Sequence, residues 1–194
     1  MRVLCIGKRS FILFLLPVIL LLSTLYAHNT TLNGKVIVVD AGHGGIDPGA
    51  NRPTVLEKDI NLAIALELKD ILNQYGAKVV LSRQADVDLS PECDDEKVRG
   101  RYHRDLTARV EMVEESDADL FISIHANAVA NAERHGAEVF YDANSQAGKS
   151  LSNLIQDELC KVTQAPGQPK LLTTLYCVAT KFPPHLLKLV TLLI

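Results

Sequence analysis

Three short segments of the chain each contain a residue type that zinc binds in proteins. His43 lies in VIVVDAGHGG, Glu57 in TVLEKDINLAIA and His125 in DLFISIHANA. Two imidazoles and one carboxylate leave the fourth position of a tetrahedral zinc ion open to water, which is the arrangement of catalytic rather than structural sites. The sequence therefore predicts a zinc site formed by His43, Glu57 and His125.

Each of these residues also has a simpler explanation when it is taken alone. His43 fits a glycine-rich turn, Glu57 is a carboxylate favoured by the dipole at a helix start, and His125 is a histidine at a strand end. Ser123 shares a strand face with His125, but no acidic residue stands in an obvious position to complete a serine triad. The AGHGG segment also lacks the Lys-Ser or Lys-Thr of a phosphate-binding loop. Taken together, His43, Glu57 and His125 favour a metal site over these separate explanations.

Two aspartates, Asp40 and Asp47, flank the glycine-rich segment. Either could accept a hydrogen bond from a ligating imidazole and so fix its tautomer. Both also suit the turns at Ala-Gly and Asp-Pro-Gly, and the sequence leaves these two roles open.

Alternating strands and helices must position these residues. Apolar runs predict strands over 36–40, 77–82, 118–125 and 136–141, and helical periodicity predicts helices over 56–75, 106–115 and 150–161, with a surface loop over 86–104. This alternation indicates an α/β fold, with a mostly parallel twisted sheet and helices on both faces. Ligands of such folds bind at the carboxyl ends of the strands, where all three predicted metal ligands are expected.

The N-terminal region, residues 1–34, is typical of an export signal or a signal anchor. Three basic residues precede an uncharged run whose apolar centre covers 11–27. This centre is short for a membrane-spanning helix, which needs about 20 apolar residues, and Pro17 interrupts it. We expect export, with cleavage and retention both open, and a single domain over 35–194.

The formal net charge is −3, and the chain has no long basic stripe. These features give no support for nucleic-acid binding. Contact with a membrane is expected only through the N-terminal segment.

The chain resembles the zinc-dependent N-acetylmuramoyl-L-alanine amidases of bacterial cell-wall remodelling (amidase type 3). The matching stretches are VIVVDAGHGGIDPGA, LEKDINLAIALELKDIL, GAKVVLSRQAD, RVEMVEESDADLFISIHANA and HGAEVFYDANSQAGKSLSNLIQDEL. Together they cover most of residues 36–159, in order and at appropriate spacing, which makes the set specific. The resemblance implies an α/β fold, one zinc ion held by His43, Glu57 and His125, and cleavage of the bond between the muramic acid lactyl group and L-alanine in peptidoglycan.

The short form of the chain also resembles the spore-cortex subgroup of these amidases. That resemblance implies a role in sporulation or germination, and removal of peptide from muramic acid so that a muramic-acid deacetylase can act as a partner. It also implies an exported protein in the cell wall, at the outer face of the membrane or in the forespore envelope.

The C-terminal region departs from the family pattern. Members continue into a segment like IPA-x-LVE-x-GF, whose glutamate is the catalytic acid/base and whose strand completes the sheet. Here the chain reads KFPPHLLKLVTLLI, and no glutamate follows Glu158. We therefore expect the catalytic glutamate to be absent, the catalytic residue to be unknown, the final strand to be missing, and the domain to be altered after about residue 170.

A shifted reading frame would explain this departure. If leucines 186, 187 and 189 use TTG, Lys188 uses AAG and Val190 uses GTT, a shifted frame reads Leu-Val-Glu-Val-Gly-Tyr. The codons for residues 181–185 permit Ile-Pro-Ala-Thr in that same frame. We interpret the tail as the product of a frameshift, which the nucleotide sequence tests directly, since codons incompatible with that frame exclude it.

Three functions remain open from the sequence. The first is a peptidoglycan amidase impaired by loss of the glutamate, and the second is a non-catalytic protein of the same fold that binds zinc or muropeptide. The third is another zinc peptidase, which would cleave between amino acids.

Overall fold

The computed structural model describes residues 31–127, 136–142, 144–164, 170–171 and 189–193. Most of the expected export segment lies outside these residues, so its prediction stays a prediction. Within the described ranges, no helix is both long enough and apolar enough to cross a membrane.

Three long helices and eight strands make up the described part of the chain. In chain order they are β1 (Val36–Ala41), β2 (Asn51–Arg52), β3 (Val55–Leu56), α1 (Glu57–Gln74), β4 (Lys78–Leu81), a 3-10 turn (Ser90–Glu92), α2 (Arg101–Glu115), β5 (Leu120–His125), β6 (Glu138–Tyr141), α3 (Gln146–Thr163), β7 (Lys170–Leu171) and β8 (Leu189–Leu193).

The four predicted strands and three predicted helices are all present, but two helices begin earlier than expected. α2 begins at Arg101, so the predicted loop over 86–104 extends too far. Residues 101–103 are polar or exposed and show no apolar periodicity, which hides the first turn of this helix. α3 begins at Gln146, where the Ser145 side chain accepts a hydrogen bond from the Gly148 N–H at 2.9 Å. This serine is the N-cap that the apolar spacing did not show.

Six strands form one twisted sheet in the order β4-β1-β5-β8-β6-β7. β4, β1, β5 and β8 are parallel neighbours, and β7 is parallel to β6. Among the described strands of this sheet, only β6 and β8 pair in antiparallel fashion. The prediction of a mostly parallel α/β sheet is therefore confirmed. β2 and β3 form a separate small hairpin just before α1, which the sequence did not indicate.

Each face of the central strand β1 packs against a different helix. Successive side chains of a strand point to opposite faces, so neighbours in β1 enter separate cores. Val38 packs in a cluster with Val113 of α2, whereas Val39 packs in a cluster with Ala65 of α1. All four side chains are almost fully buried. The prediction of helices on both faces of the sheet is confirmed.

The expectation that the final strand is missing is wrong for the fold. Residues 189–193 form β8, which pairs with β5 along its whole length and with β6 on the other side. The segment reads LVTLL, and aliphatic and β-branched residues of this kind favour a central strand of a parallel sheet. The C-terminal segment thus supplies a strand of this sheet.

The buried side chain of Gln156 joins α3 to β6. Its Oε1 accepts a hydrogen bond from the Val139 N–H at 2.9 Å, and its Nε2 donates to the Ala137 carbonyl at 2.8 Å. Gln156 is only 1% exposed. A buried backbone group that loses its partner is costly, so this amide is a structural link that no apolar side chain can replace.

We expect Gln156→Leu to lower the free energy of unfolding by about 2–4 kcal/mol, because two buried backbone groups lose their partners. Urea unfolding followed by circular dichroism measures this change. The control is Gln146→Leu, an exposed position at the start of the same helix, where the change stays within about 0.5 kcal/mol. Equal effects of the two substitutions would contradict the structural role of Gln156.

Candidate functional site

His43 lies in a tight loop directly after β1. Its φ of 64° is in the left-handed region, which residues other than glycine rarely adopt. Its Nδ1 lies 2.8 Å from Asp47 Oδ2, and the other oxygen of Asp47 accepts from the Gly49 N–H at 3.0 Å. Asp47 therefore orients the imidazole and shapes the turn at once, so both roles that the sequence left open for it are present.

Glu57 is the first residue of α1, and its carboxylate is held by backbone donors from two other segments. The Ala50 N–H donates to Oε2 at 2.8 Å, and the Ala126 N–H donates to Oε1 at 3.2 Å. Glu57 is 3% exposed. Gly49 allows this close approach, since a Cβ there would lie 2.6 Å from His43 Cδ2 and 2.8 Å from Glu57 Oε2.

His125 is the last residue of β5, and its ring lies against the backbone of the loop after β1. A Cβ at Gly42 would overlap this ring, so glycine is needed there for the imidazole to fit. His125 is 4% exposed. The rings of His43 and His125 meet edge to face, with centroids 4.8 Å apart and planes at 84°.

The three donor atoms of the predicted metal site form a small triangle. His43 Nε2 lies 3.2 Å from Glu57 Oε1, His125 Nδ1 lies 3.1 Å from the same oxygen, and the two ring nitrogens are 3.2 Å apart. Four ligands placed tetrahedrally at about 2.0–2.1 Å from a zinc ion lie about 3.3 Å from one another. The triangle therefore has the size of one face of such a tetrahedron, and these residues fit a single divalent ion.

The electrostatics of the triangle favour a cation at its centre. Burial acts to raise the pKa of Glu57, but hydrogen bonds from His125, His43 and the Ala50 N–H outweigh it and hold this pKa far below its usual range. Burial acts to lower the pKa of His43, yet the hydrogen bonds to Glu57 and Asp47 outweigh it and raise this pKa. The site therefore keeps a negative carboxylate and attracts either a proton or a metal ion. The His43 side chain is 16% exposed, so it forms the open side of the triangle.

Asp40 does not orient an imidazole, unlike Asp47. Its carboxylate forms a buried ion pair with Arg109, and it accepts a hydrogen bond from Ser123 Oγ at 2.7 Å. Of the two roles that the sequence left open for Asp40, the contact with a ligating histidine is therefore not present. Because Ser123 is bound to this buried carboxylate, its hydroxyl is not placed as a nucleophile, in agreement with the weak support for a serine triad.

Two arginines in contact with the site were missed by the sequence analysis. Arg83 donates to the carbonyls of Ala41 and Gly42 at 2.9 and 3.1 Å, and Arg109 donates to the carbonyls of Ala41 and His43 at 3.1 and 2.9 Å. Both residues lie far from the loop in sequence, and their partners are backbone atoms. No local motif marks such contacts, although a buried arginine on the apolar face of a predicted helix is a usable signal.

The strand β8 lies next to the site, because it pairs with β5. Leu193 pairs in register with His125, so the strand from the tail reaches the same edge of the sheet. Residues 189–193 contain no acidic residue. The strand thus completes the sheet beside the triangle without bringing a carboxylate to it.

Comparison with known proteins agrees with this fold. The sequence profile of the family described as N-acetylmuramoyl-L-alanine amidase matches residues 37–188. The germination-specific N-acetylmuramoyl-L-alanine amidase of Bacillus subtilis (strain 168) is 41% identical over 128 residues, which cover 66% of this chain and 54% of that protein. The amidase LytC of the same organism is 39% identical over 128 residues, which cover 65% of this chain and 23% of that protein.

Solved structures show the same architecture. The CwlD amidase of Clostridioides difficile, determined in complex with the GerS lipoprotein, superposes with a TM-score of 0.69 at 35% identity, and the match covers 82% of this chain and 81% of that one. The catalytic domain of CwlV from Bacillus (Paenibacillus) polymyxa var. colistinus superposes with a TM-score of 0.62 at 29% identity, covering 82% and 79% of the two chains.

The chain spans about half the length of the germination-specific relative and about a quarter of LytC. The family profile, in contrast, matches more than half of the present chain and includes all three residues of the triangle. The chain therefore belongs to the N-acetylmuramoyl-L-alanine amidase family.

Proposed function

We propose that His43, Glu57 and His125 bind one zinc ion and that the chain acts on the amide bond between muramic acid and L-alanine in peptidoglycan. The observation that carries this proposal is the triangle of donor atoms, with edges of 3.1–3.2 Å. Two imidazoles and one carboxylate are the ligand set of catalytic zinc sites. Family membership supports the choice of zinc and of the amide bond.

The residues of the chain have separate tasks in this reaction. When bound, zinc polarises an amide carbonyl and lowers the pKa of a bound water molecule. Glu57 supplies the buried negative charge that retains the ion, and Asp47 keeps the Nε2 lone pair of His43 directed into the triangle. The partial exposure of His43 leaves the approach to this side open for the glycan–peptide junction.

We further propose that the protein is exported and works in the cell envelope during spore germination. The basic head and apolar run of residues 1–34 and the name of the germination-specific relative support this. A muramic-acid deacetylase that uses the product is the proposed enzymatic partner. The structure of the similar CwlD amidase was determined in complex with a lipoprotein, which makes a lipoprotein a further candidate partner.

Hydrolysis also needs a general acid/base near the metal, and here the chain departs from the family pattern. The strand beside His125 reads LVTLL and has no acidic residue, whereas the family pattern has a glutamate in its C-terminal segment. We propose that the zinc site is retained and that hydrolysis is strongly impaired. The second candidate, a non-catalytic protein that binds zinc or muropeptide, is favoured by this same observation.

The zinc site is tested by removing one ligand at a time. We expect the full chain to bind one zinc ion and His125→Ala or Glu57→Gln to abolish tight binding, because two protein ligands do not retain the ion. Competition with a chromophoric chelator measures the affinity. His103→Ala is the matched control, since His103 is an exposed histidine on α2 and its loss leaves zinc affinity unchanged. Zinc binding that survives all ligand substitutions would contradict the proposal.

The role of Asp47 is tested by the pH dependence of zinc affinity. Zinc needs a neutral imidazole, and the pKa of His43 is raised, so apparent affinity falls as the pH is lowered through that raised pKa. Asp47→Asn removes part of the raising effect, so the fall begins at a lower pH. At pH values above the pKa of His43, the variant binds zinc about 10–100-fold more weakly than the unmodified chain, because the orienting carboxylate is lost.

The control for Asp47→Asn is Asp59→Asn. Asp59 is an exposed carboxylate in the first turn of α1, so its substitution makes the same change in charge without contacting His43. Both variants are titrated with zinc between about pH 8 and pH 5, the range in which histidines titrate. Identical profiles for the two variants would show that only net charge matters.

The impairment is tested by restoring the shifted frame, which replaces the tail with one that contains Leu-Val-Glu-Val-Gly-Tyr. We expect the restored protein to release peptide with an L-alanine N-terminus from muropeptides about 10²–10⁴-fold faster, the usual contribution of a general acid/base. Mass spectrometry identifies the released peptide. A restored protein that also carries H125A serves as the inactive control. Equal turnover by the original and restored chains would refute the impairment, and cleavage within the peptide would indicate a different zinc peptidase.

A further inference from the structure

The backbone carbonyls of the loop that carries His43 are bound by two buried arginines. Arg83 donates to Ala41 and Gly42, and Arg109 donates to Ala41 and His43. Both arginines are almost fully buried. Of these two arginines, Arg109 is the one that contacts the carbonyl of His43, the predicted metal ligand.

The Arg109 guanidinium reaches four residues at once. Its Nη1 donates to an oxygen of Asp40 and to the Ala41 carbonyl, its Nη2 donates to the His43 carbonyl, and its Nε donates to Asp105 at 2.9 Å. Two carboxylates, those of Asp40 and Asp105, therefore fix the position of the planar fork. A lysine keeps the charge but presents its donors from a single nitrogen, so it cannot span these partners.

The loop needs such a contact because His43 adopts a backbone conformation that histidine disfavours. Its φ is 64°, and a residue in this region persists only where surrounding contacts hold it. The hydrogen bond from Arg109 to the His43 carbonyl acts on this peptide unit directly. The same φ directs the imidazole towards Glu57 and His125, so the backbone conformation and the metal triangle are linked.

We infer that Arg109 is a positioning residue for the metal centre, which holds the backbone of His43 in the conformation that places Nε2 in the triangle. This inference rests on the proposed function, because it assumes that the triangle binds zinc. Arg109 acts through the backbone of a ligand and not through the ion or the substrate. Its charge is balanced by Asp40 and Asp105, which makes it a fixed support.

The test compares Arg109→Lys with a matched substitution on the same helix. Arg104 also lies in α2 and also donates to backbone carbonyls, those of Ser90 and Cys93, but its loop is not the one that carries His43. Zinc affinity of the full chain and both variants is measured by chelator competition, at a temperature where the metal-free forms are folded. Co²⁺ is used as a second probe, since its visible absorption reports the geometry of its ligands.

We expect R109K to bind zinc about 10–100-fold more weakly, the range seen when a residue that orients a ligand is lost. The Co²⁺ spectrum of R109K changes shape, whereas R104K retains the zinc affinity and the Co²⁺ spectrum of the unmodified chain. If Arg109 had a purely structural role, both metal-free variants would unfold at lower temperature, but their zinc affinities and Co²⁺ spectra would not differ. Equal zinc affinity of R109K and the unmodified chain, or an equal loss in R104K, overturns the inference.

A charge-balanced variant, D40N/R109Q, covers the case in which R109K does not fold. It removes both members of the buried Asp40–Arg109 pair together. Asp105 also loses Arg109, but it keeps the hydrogen bond from the Leu89 N–H. The variant also removes the fork that spans Ala41 and His43. The same loss of zinc affinity is expected. If neither variant folds while R104K does, Arg109 is a folding element and the inference is overturned. If the unmodified chain binds no zinc, the proposed function fails and this inference falls with it.

Discussion

The site depends on one buried carboxylate that faces two imidazoles. Glu57 lies at the start of α1 with 3% of its surface exposed, and a charge in that position is stable only when positive or polar groups surround it. Two backbone N–H groups and two ring nitrogens supply these partners. The loop after β1, the β2–β3 hairpin and the end of β5 all meet around this carboxylate. The folding of these segments and the binding of a metal ion therefore both require polar or positive partners around the Glu57 carboxylate.

Much of this arrangement follows from local sequence patterns. Apolar runs and helical spacing located β1, β4, β5, β6 and the three helices because each buries a continuous face. The convergence of His43, Glu57 and His125 followed from the rule that ligands lie at the carboxyl ends of parallel strands. The structure brings these three residues together at that edge, and Asp47 lies four residues from His43, within reach of any local analysis.

The features that the sequence did not show are contacts between residues far apart in the chain, and elements too short or too polar to give a periodic signal. Arg109 and the carbonyl of His43 are far apart in the chain and meet only after α2 packs on β1. The sequence left a contact with an imidazole open for Asp40, because it did not show that this arginine would be nearby. β2 and β3 have two residues each, too few to produce a periodic signal. The start of α2 is polar, so its first turn resembles a loop.

The tail separates two requirements that usually coincide. A central strand needs backbone hydrogen bonds on both sides and residues that suit a buried sheet, and LVTLL provides both. The proposed hydrolysis also needs a general acid/base, and this strand has no acidic residue. The loss that we propose would preserve the architecture while it removes a chemical group. Family likeness at the level of fold is therefore weaker evidence for turnover than the identity of a few side chains.

The position of β8 between β5 and β6 also determines when the sheet can be completed. β5 has its second neighbour only after a strand much later in the chain has docked, so the pairing is non-local. Closing such a long loop before any contact forms slows folding, and the unpaired borders of β5 and β6 stay open to other strands in the meantime. The strands β4, β1 and β5 on one side and β6 and β7 on the other therefore join into one sheet only when β8 pairs with both. Nascent chains of this protein thus have a period of exposure to misassembly that an edge location of that segment would avoid.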